Sequence, residues 1–179
     1  PIGLMFFDDL DEAGRQAELS ALPTHTHPLG IDGARIVAMA TALAAREQTW
    51  SRRTFFQELS ARAQTEELRS QLQEAATLKN SDSLSQFGNG IEAHRSVVTA
   101  LCCFAGTPDS YPDVINRAIW LGGDTDTIAA IAGALSGAHL GLAAIPPELL
   151  AALEQGPKGG EFLRELAERL YVASASRGE

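Results

Sequence analysis

The sequence predicts an all-α chain, and three observations carry that prediction. Apolar residues recur every three to four positions through most segments, no stretch alternates convincingly at period two, and helix-starting or helix-stopping residues bracket the apolar runs. No tandem repeat and no clear internal domain boundary interrupts residues 1–179.

Taken in order, "DLDEAGRQAELSAL" spaces Leu10, Ala13, Ala17 and Leu22 for one helix face and stops at Pro23. "GARIVAMATALAARE" (33–47) is apolar almost all round, which places it centrally. "SRRTFFQELSARA" opens at Ser51, a good cap, and "TEELRSQLQEAATL" opens at Thr65 with acids in its first turn. The latter sets Leu68, Leu72 and Ala75 or Ala76 on one stripe and reads as an outer helix. "KNSDSLSQFGNG" (79–90) is a loop rich in turn formers. "IEAHRSVVTALCCFAG" returns to helix, "TPDSYPD" breaks it, and "VINRAIWL" is a short helix ending at Gly122–Gly123. A helix of small residues follows, Pro146–Pro147 can begin another, and "GEFLRELAERLYVASA" closes the chain with Phe162, Leu166 and Leu170 spaced by four.

Composition narrows the function classes. A formal net charge of −9 argues against an electrostatic nucleic-acid binder, whose surface is basic. It leaves room for an anionic ligand, because metal ions or helix N-termini can supply positive potential. Cys102 and Cys103 are adjacent in an apolar stretch and read as two buried thiols, so a reducing, cytoplasmic setting is expected. The opening "PIGLMFFDDL" has no basic residue before its apolar run and is not a secretory signal; it does not read as a natural translation start either. Residues 128–145 carry no formal charge over a span-like length. Their glycines, Ser136, His139 and the acid at their start point instead to a core helix, so no membrane partner is expected.

Three constellations carry chemistry. In "GGDTDTIAAIAGALSGAHLG" the helix is expected to begin near Asp126 or Thr127, leaving Asp124 and Asp126 on the turn before it, where residues two apart can converge. Carboxylates with threonine hydroxyls form a hard, all-oxygen donor set suited to Mg²⁺, Mn²⁺ or Ca²⁺. Gly122 and Gly123 permit a sharp turn or a close ligand approach. An ordinary N-cap beside the helix dipole explains one acid, but four successive oxygen-bearing side chains exceed that need. Gly133, Gly137 and Gly141, at four-residue intervals, predict a flat face for close helix packing and a buried helix behind the acids. In "FGNGIEAHRS", Asn89 between two glycines at a helix start can present N–H groups to an anion, although "GNG" is also plain turn chemistry. In "PTHTHPLG", His25 and His27 stand on an extended segment; no cysteine or third histidine joins them, which disfavours a soft-metal site and leaves an ordinary surface loop as the alternative.

In this order and spacing the three pieces resemble the ADP-ribosylglycohydrolase family, relatives of dinitrogenase reductase-activating glycohydrolase. The "LGGDTDTIAAIAGALSGAHLG" string is similar to that family's C-terminal signature. "GNGI…S" and "TH…LG…GA" are similar to its preceding blocks, particularly in the subgroup that removes ADP-ribose from serine. The likeness covers roughly residues 1 to 155.

The resemblance implies an all-α, compact orthogonal bundle that binds two Mg²⁺ (or Mn²⁺) ions in a cleft and hydrolyses the bond at C1″ of the distal ribose of ADP-ribosylated proteins. It implies Asp124, Asp126 and Thr127 as metal ligands. It places Asn89, Gly90 and Ile91 along the adenosine end of ADP-ribose, Ser96 near its phosphates and Gly123 beside the distal ribose, with Gly122 also among the ligand-binding residues. His25 fits the family's ligand-side histidine better than His27 does, by its spacing to Leu29–Gly30.

The departures are as informative. The family's Thr-Asp-Asp block, its catalytic acid and its earlier glycine-rich phosphate loop have no counterpart; the only "GNG" is at 88–90, and the lone Asp-Asp pair, Asp8–Asp9, follows Phe7. Residues 1–179 therefore read as the C-terminal part of a single domain, with "PIGL" similar to the stretch just after the family's phosphate loop. Half a two-metal site and no catalytic acid are expected here. A complementary N-terminal segment or self-association is expected to cover the apolar faces of 33–45 and 128–145. Two other readings stand beside the glycohydrolase: an inactive ADP-ribose-binding or structural homologue, and a Mg²⁺-dependent phosphohydrolase, which explains the acids but not "GNGI".

Overall fold

The computed structural model describes residues 1–46, 51–79 and 84–176. Glu47, at the end of the predicted 33–47 helix, and residues 80–83 of the predicted loop lie outside them. Among the described residues the chain is all α-helix, turns and short 3₁₀ segments, with no strand. The helices are α1 (Ile2–Met5), α2 (Leu10–Ala21), α3 (Pro28–Arg46), α4 (Arg52–Arg62), α5 (Glu66–Ala75), α6 (Ala93–Gly106), α7 (Tyr111–Trp120), α8 (Thr125–Leu140), α9 (Pro147–Ala151) and α10 (Gly160–Ala175). Single 3₁₀ turns form at Leu84–Phe87 and Leu142–Ala144.

Local chemistry explains most of the boundaries. The Asp9 carboxylate accepts from the backbone N–H of Asp11 (3.1 Å) and Glu12 (3.0 Å), which starts α2 and assigns half of the Asp8–Asp9 pair to capping. Ser51 caps α4 through the N–H of Thr54 at 3.3 Å, as its position predicts. Thr65 precedes α5 without capping it by its own side chain. That task falls to Asp32 of α3, whose Oδ2 accepts from the N–H of Gln64 (2.9 Å), the N–H of Thr65 (2.7 Å) and the Thr65 hydroxyl (2.7 Å). A buried acid from one helix thus caps the next across the fold.

The core forms around α3 and α6. Helix α3 begins five residues before the predicted stretch, and it packs against α1, α2, α6 and α8. From Ser96 to Gly106 every residue of α6 is buried, including Val98, Leu101, Cys102, Cys103 and Phe104. Phe55 of α4 meets Phe104 edge-on, with ring centroids 5.9 Å apart. Among the described residues α3 is the helix long and apolar enough to cross a membrane, by length and composition alone; here it runs through the core. The uncharged run at 128–145 does not form one helix, because α8 ends at Leu140 and Gly141 turns the chain at φ +77°.

Two expectations about α8 are corrected. It buries one side only, through Ile128, Ala132, Gly133, Leu135 and Ser136. Of the three spaced glycines, Gly133 alone sits in close packing, where an added Cβ would lie 2.9 Å from Ile115 Cδ1 and 3.3 Å from Tyr111 Oη. No atom lies within 4 Å of the corresponding positions at Gly137 and Gly141. The closing helix α10 carries no buried residue, so its Phe162, Leu166 and Leu170 stripe adds little to the core.

Candidate functional site

Helix α8 starts at Thr125 with Asp124 as its N-cap residue, slightly earlier than its residue pattern suggests. Asp126 therefore lies in the first helical turn, and only Asp124 stays on the turn before it. The two carboxylates still interact. A hydrogen bond with Asp124, aided by the N–H groups of Thr127 and Asp126, holds the Asp126 carboxyl below the usual carboxylate range. Gly122 (φ +69°) and Gly123 (φ +72°) make the left-handed bend that brings the chain from α7 into this start.

The loop before α6 locks onto this bend. The Asn89 carbonyl accepts the Asp124 N–H at 2.8 Å, and Asn89 Nδ2 donates to the Leu121 carbonyl at 2.8 Å. An added Cβ at Gly123 would run into the Asn89 backbone oxygen, so only glycine permits the approach. Behind the loop, the fully buried Thr99 hydroxyl donates to the Gly88 carbonyl at 2.6 Å. Asn89 is thus committed to holding the acid-bearing turn, a role its sequence context did not reveal.

A pocket of about 790 Å³ gathers residues from α1, α2, α3, α6 and α8. His25, Ile91, Ser96, Asp124 and Thr127, all predicted from sequence, line it. Ile91 is 84% exposed, an apolar side chain offered to whatever enters. Asn89, Gly90, Gly122, Gly123 and Asp126 do not line it and lie in the two interlocked segments beside it. His27 stays outside; its Nδ1 accepts the Leu29 N–H at 3.2 Å at the start of α3. The pocket wall also uses Gly33, Val37, Thr41, Ile131 and Ala134, which sequence reasoning missed. Their one legible signal is a run of small or apolar residues at helical spacing, which core positions share.

The charge pattern of the pocket is unusual for a polar ligand site. No Lys or Arg side chain lines it, and Asp124 is its single lining carboxylate among the described residues. The N-terminal turns of three helices converge on it instead: α3 through Gly30 and Gly33, α6 through Ala93 and Ser96, α8 through Asp124 and Thr127. Helix starts carry the positive end of the dipole and so favour anions; the first N–H groups of α3 are themselves taken up by His27, and those of α8 by Asn89, Gly123 and the Asp126 carboxyl. Hydroxyls of Ser20 and Thr127 add neutral donors, whereas those of Thr24, Thr41 and Ser96 donate to the carbonyls of Ala21, Val37 and Glu92.

A metal fits this corner in part. The donors are all oxygen, and two carboxylates close enough to interact gain from a cation between them. They supply fewer ligands than a six-coordinate ion takes, and no cluster of three or more His, Cys, Asp or Glu able to hold a metal occurs among the described residues.

Comparison with known proteins gives a consistent picture. Residues 1–179 match the family described as ADP-ribosylglycohydrolase. A protein named ADP-ribosylhydrolase ARH3 from Gallus gallus is 30% identical over 92% of this chain and 53% of its own length. The protein of the same name from Bos taurus is 32% identical over 92% and 53%. An uncharacterized protein from Archaeoglobus fulgidus is 35% identical over 96% and 55%. The chain spans about half the length of the curated relatives it matches.

Proposed function

The chain belongs to the ADP-ribosylglycohydrolase family, and from that premise we propose that it forms the C-terminal part of a domain that hydrolyses ADP-ribose from modified proteins or related conjugates. The observation that carries this reading is the convergence of His25, Ile91, Ser96, Asp124 and Thr127 on one pocket, which is also lined by the first residues of α3, α6 and α8. A pyrophosphate suits such a pocket, since the positive ends of three helix dipoles and the Ser20 and Thr127 hydroxyls favour its charge without a lysine or arginine. Ile91 offers an apolar contact to the adenosine end, and Ser96 stands at the first turn of α6 for the phosphates.

Asp124, Asp126 and Thr127 would hold Mg²⁺, with Mn²⁺ as a substitute, and two ions when the remaining ligands are supplied. Bound there, the metal would orient the distal ribose hydroxyls and lower the charge cost of the attacking water. The chain's own part is positional. Asn89 and the glycine bend hold Asp124 at the pocket edge, and α8 fixes Thr127 one turn on. Hydrolysis breaks the C1″ bond, adds the water hydroxyl to C1″ and returns a proton to the released side chain. The acid for that proton transfer comes from a complementary N-terminal segment, which would also cover the open side of α8. Self-association would be the alternative cover for that side. The buried, reduced Cys102 and Cys103 accord with a cytoplasmic setting, which we include in this proposal.

The second reading, an ADP-ribose-binding module without turnover, is favoured by one observation: Asp124 is the sole lining carboxylate among the described residues. Adding the upstream segment, as a separate chain or fused, decides between the two. The hydrolase reading expects Mg²⁺-dependent release of ADP-ribose from serine-, arginine- or acetyl-linked substrates only when both parts are present. Binding of ADP-ribose without release in every combination would establish the module instead.

A further inference from the structure

Most hydroxyls buried in these helices bond back to their own helix. Thr41 donates to the Val37 carbonyl at 2.8 Å, Ser60 to that of Gln57 at 3.1 Å and Ser96 to that of Glu92 at 3.3 Å. The fully buried Ser136 hydroxyl makes no bond among the described residues. Thr99, 0% exposed, departs from both patterns. Its hydroxyl reaches out of α6 and donates to the Gly88 carbonyl at 2.6 Å, where no water competes for the bond.

Gly88 is held from two sides. Its φ is +78°, and an added Cβ would stand 2.9 Å from Arg95 Cδ, so the stem of that exposed arginine covers it while Thr99 holds its carbonyl from the core. The next residue is Asn89, whose carbonyl accepts the Asp124 N–H and whose amide holds the Leu121 carbonyl, each at 2.8 Å. A continuous run of backbone and hydrogen bonds thus leads from the core of α6 to the acid at the pocket edge. Every acceptor along it is a carbonyl oxygen, so no bond can run the other way.

From this run we infer that Thr99 is a positioning residue, which through Gly88 and Asn89 sets where Asp124 stands across the pocket from Ser96. Ser96 lines the pocket one helical turn before Thr99, so a single helix fixes both walls. Thr99 itself touches neither metal nor ligand in this role. The use of a fixed Asp124 for Mg²⁺ rests on the glycohydrolase reading above; the coupling of Thr99 to the Asp124 backbone does not.

Amide hydrogen exchange on the 179-residue chain tests the coupling. Thr99→Val removes the donor and keeps the branched shape. The Asp124 amide is then expected to exchange about tenfold faster, beyond any change at Met39 and Ala40 in the core of α3, which report global unfolding. Thr99→Ser, which keeps the hydroxyl, is expected to restore the slow rate. Thr99→Ala gives the same reading without the bulk of valine, should that variant fail to fold. A change at Asp124 no larger than at Met39 and Ala40 would mean that Thr99 serves stability alone, and overturns the inference. In the chain joined to its upstream segment, with Mg²⁺ as the titrated probe, Thr99→Val is expected to weaken binding about tenfold and Thr99→Ser to recover it. Mg²⁺ bound equally well by Thr99→Val and the unaltered protein also overturns the inference. If the exchange result holds and the unaltered joined protein binds no Mg²⁺, the metal reading fails and the positioning of Asp124 stands.

Discussion

The carbonyl oxygen of Asn89 accepts the backbone N–H of Asp124 at 2.8 Å, and the same asparagine's side-chain amide holds the Leu121 carbonyl at 2.8 Å. The loop that opens α6 and the turn that opens α8 are therefore one mechanical unit. The two glycines within it contribute unequally. At Gly123 the positive φ combines with the Asn89 backbone, which an added Cβ would strike; at Gly122 the nearest atom is Asn89 Nδ2 at 3.9 Å. Gly123→Ala is expected to cost about 2–4 kcal/mol of unfolding free energy, from a left-handed residue plus a forced opening of the lock. Gly122→Ala should cost about 1–2 kcal/mol, the conformational part alone. Urea denaturation of both variants checks the difference, and equal losses would show that the two segments do not hold each other.

A second prediction concerns the bridge from α3 to α5. Asp32 is 1% exposed, and its Oδ2 satisfies three donors from Gln64 and Thr65, while Oδ1 faces Arg35 Nε at 3.8 Å. Asp32→Ala leaves those three donors without their acceptor and removes the nearby carboxylate from Arg35, which keeps Glu18 at 3.2 Å, and is expected to destabilise by about 3–5 kcal/mol. Asp32→Asn keeps the shape and one acceptor oxygen, and should lose about half of that. Thermal melts of the three proteins test the order; a melt of Asp32→Ala close to the unaltered chain would refute it.

These two sites mark where sequence reading succeeds and where it stops. Helix type followed from the spacing of Leu68 and Leu72, and from capping residues such as Ser51, because both are local. The Asp124–Asp126–Thr127 corner was legible as oxygen donors at a helix start, and His25, Ile91 and Ser96 as members of blocks resembling a known family. Asp32 was not legible, since an acid inside an apolar run gives no sign of which distant helix it caps. The glycines of α8 misled for the same reason. Equal spacing at 133, 137 and 141 looks like one packing face, yet the partner helix α7 reaches only Gly133, and Gly141 ends the helix. The resemblance implies Asn89 as a ligand-side residue, and local pattern gives no sign of its bond to the Leu121 carbonyl across the fold.

The cysteines yield a chemical prediction. Burial raises the thiols of Cys102 and Cys103 to about 12, against an opposing pull from Arg117. At pH 8 only about one molecule in ten thousand carries either thiolate. The native chain should leave a disulfide reagent unconsumed at pH 8, and the chain in denaturant should consume two equivalents. The linkage has a definite sign: the folded values are raised, so this contribution to stability is complete below the unfolded thiol value near about 8.5 and is lost as pH climbs toward the folded one. Rapid labelling of the native chain would contradict the burial.

The open side of α8 supplies the last prediction. Gly137 has a helical backbone and nothing within 4 Å of where a Cβ would stand, so Gly137→Ala should stabilise the 179-residue chain by about 0.5–1 kcal/mol. Gly133→Ala should not share that gain, because its methyl group would press on Ile115 and Tyr111. The same pair of variants tests the proposed complementary segment. If that segment packs on the stripe that runs from Thr127 through Ala134 to Gly137, the methyl group at 137 meets a neighbour, and the gain measured on the chain alone shrinks or reverses in the completed protein. A gain of equal size in both would place the segment elsewhere and leave this face of α8 in solvent.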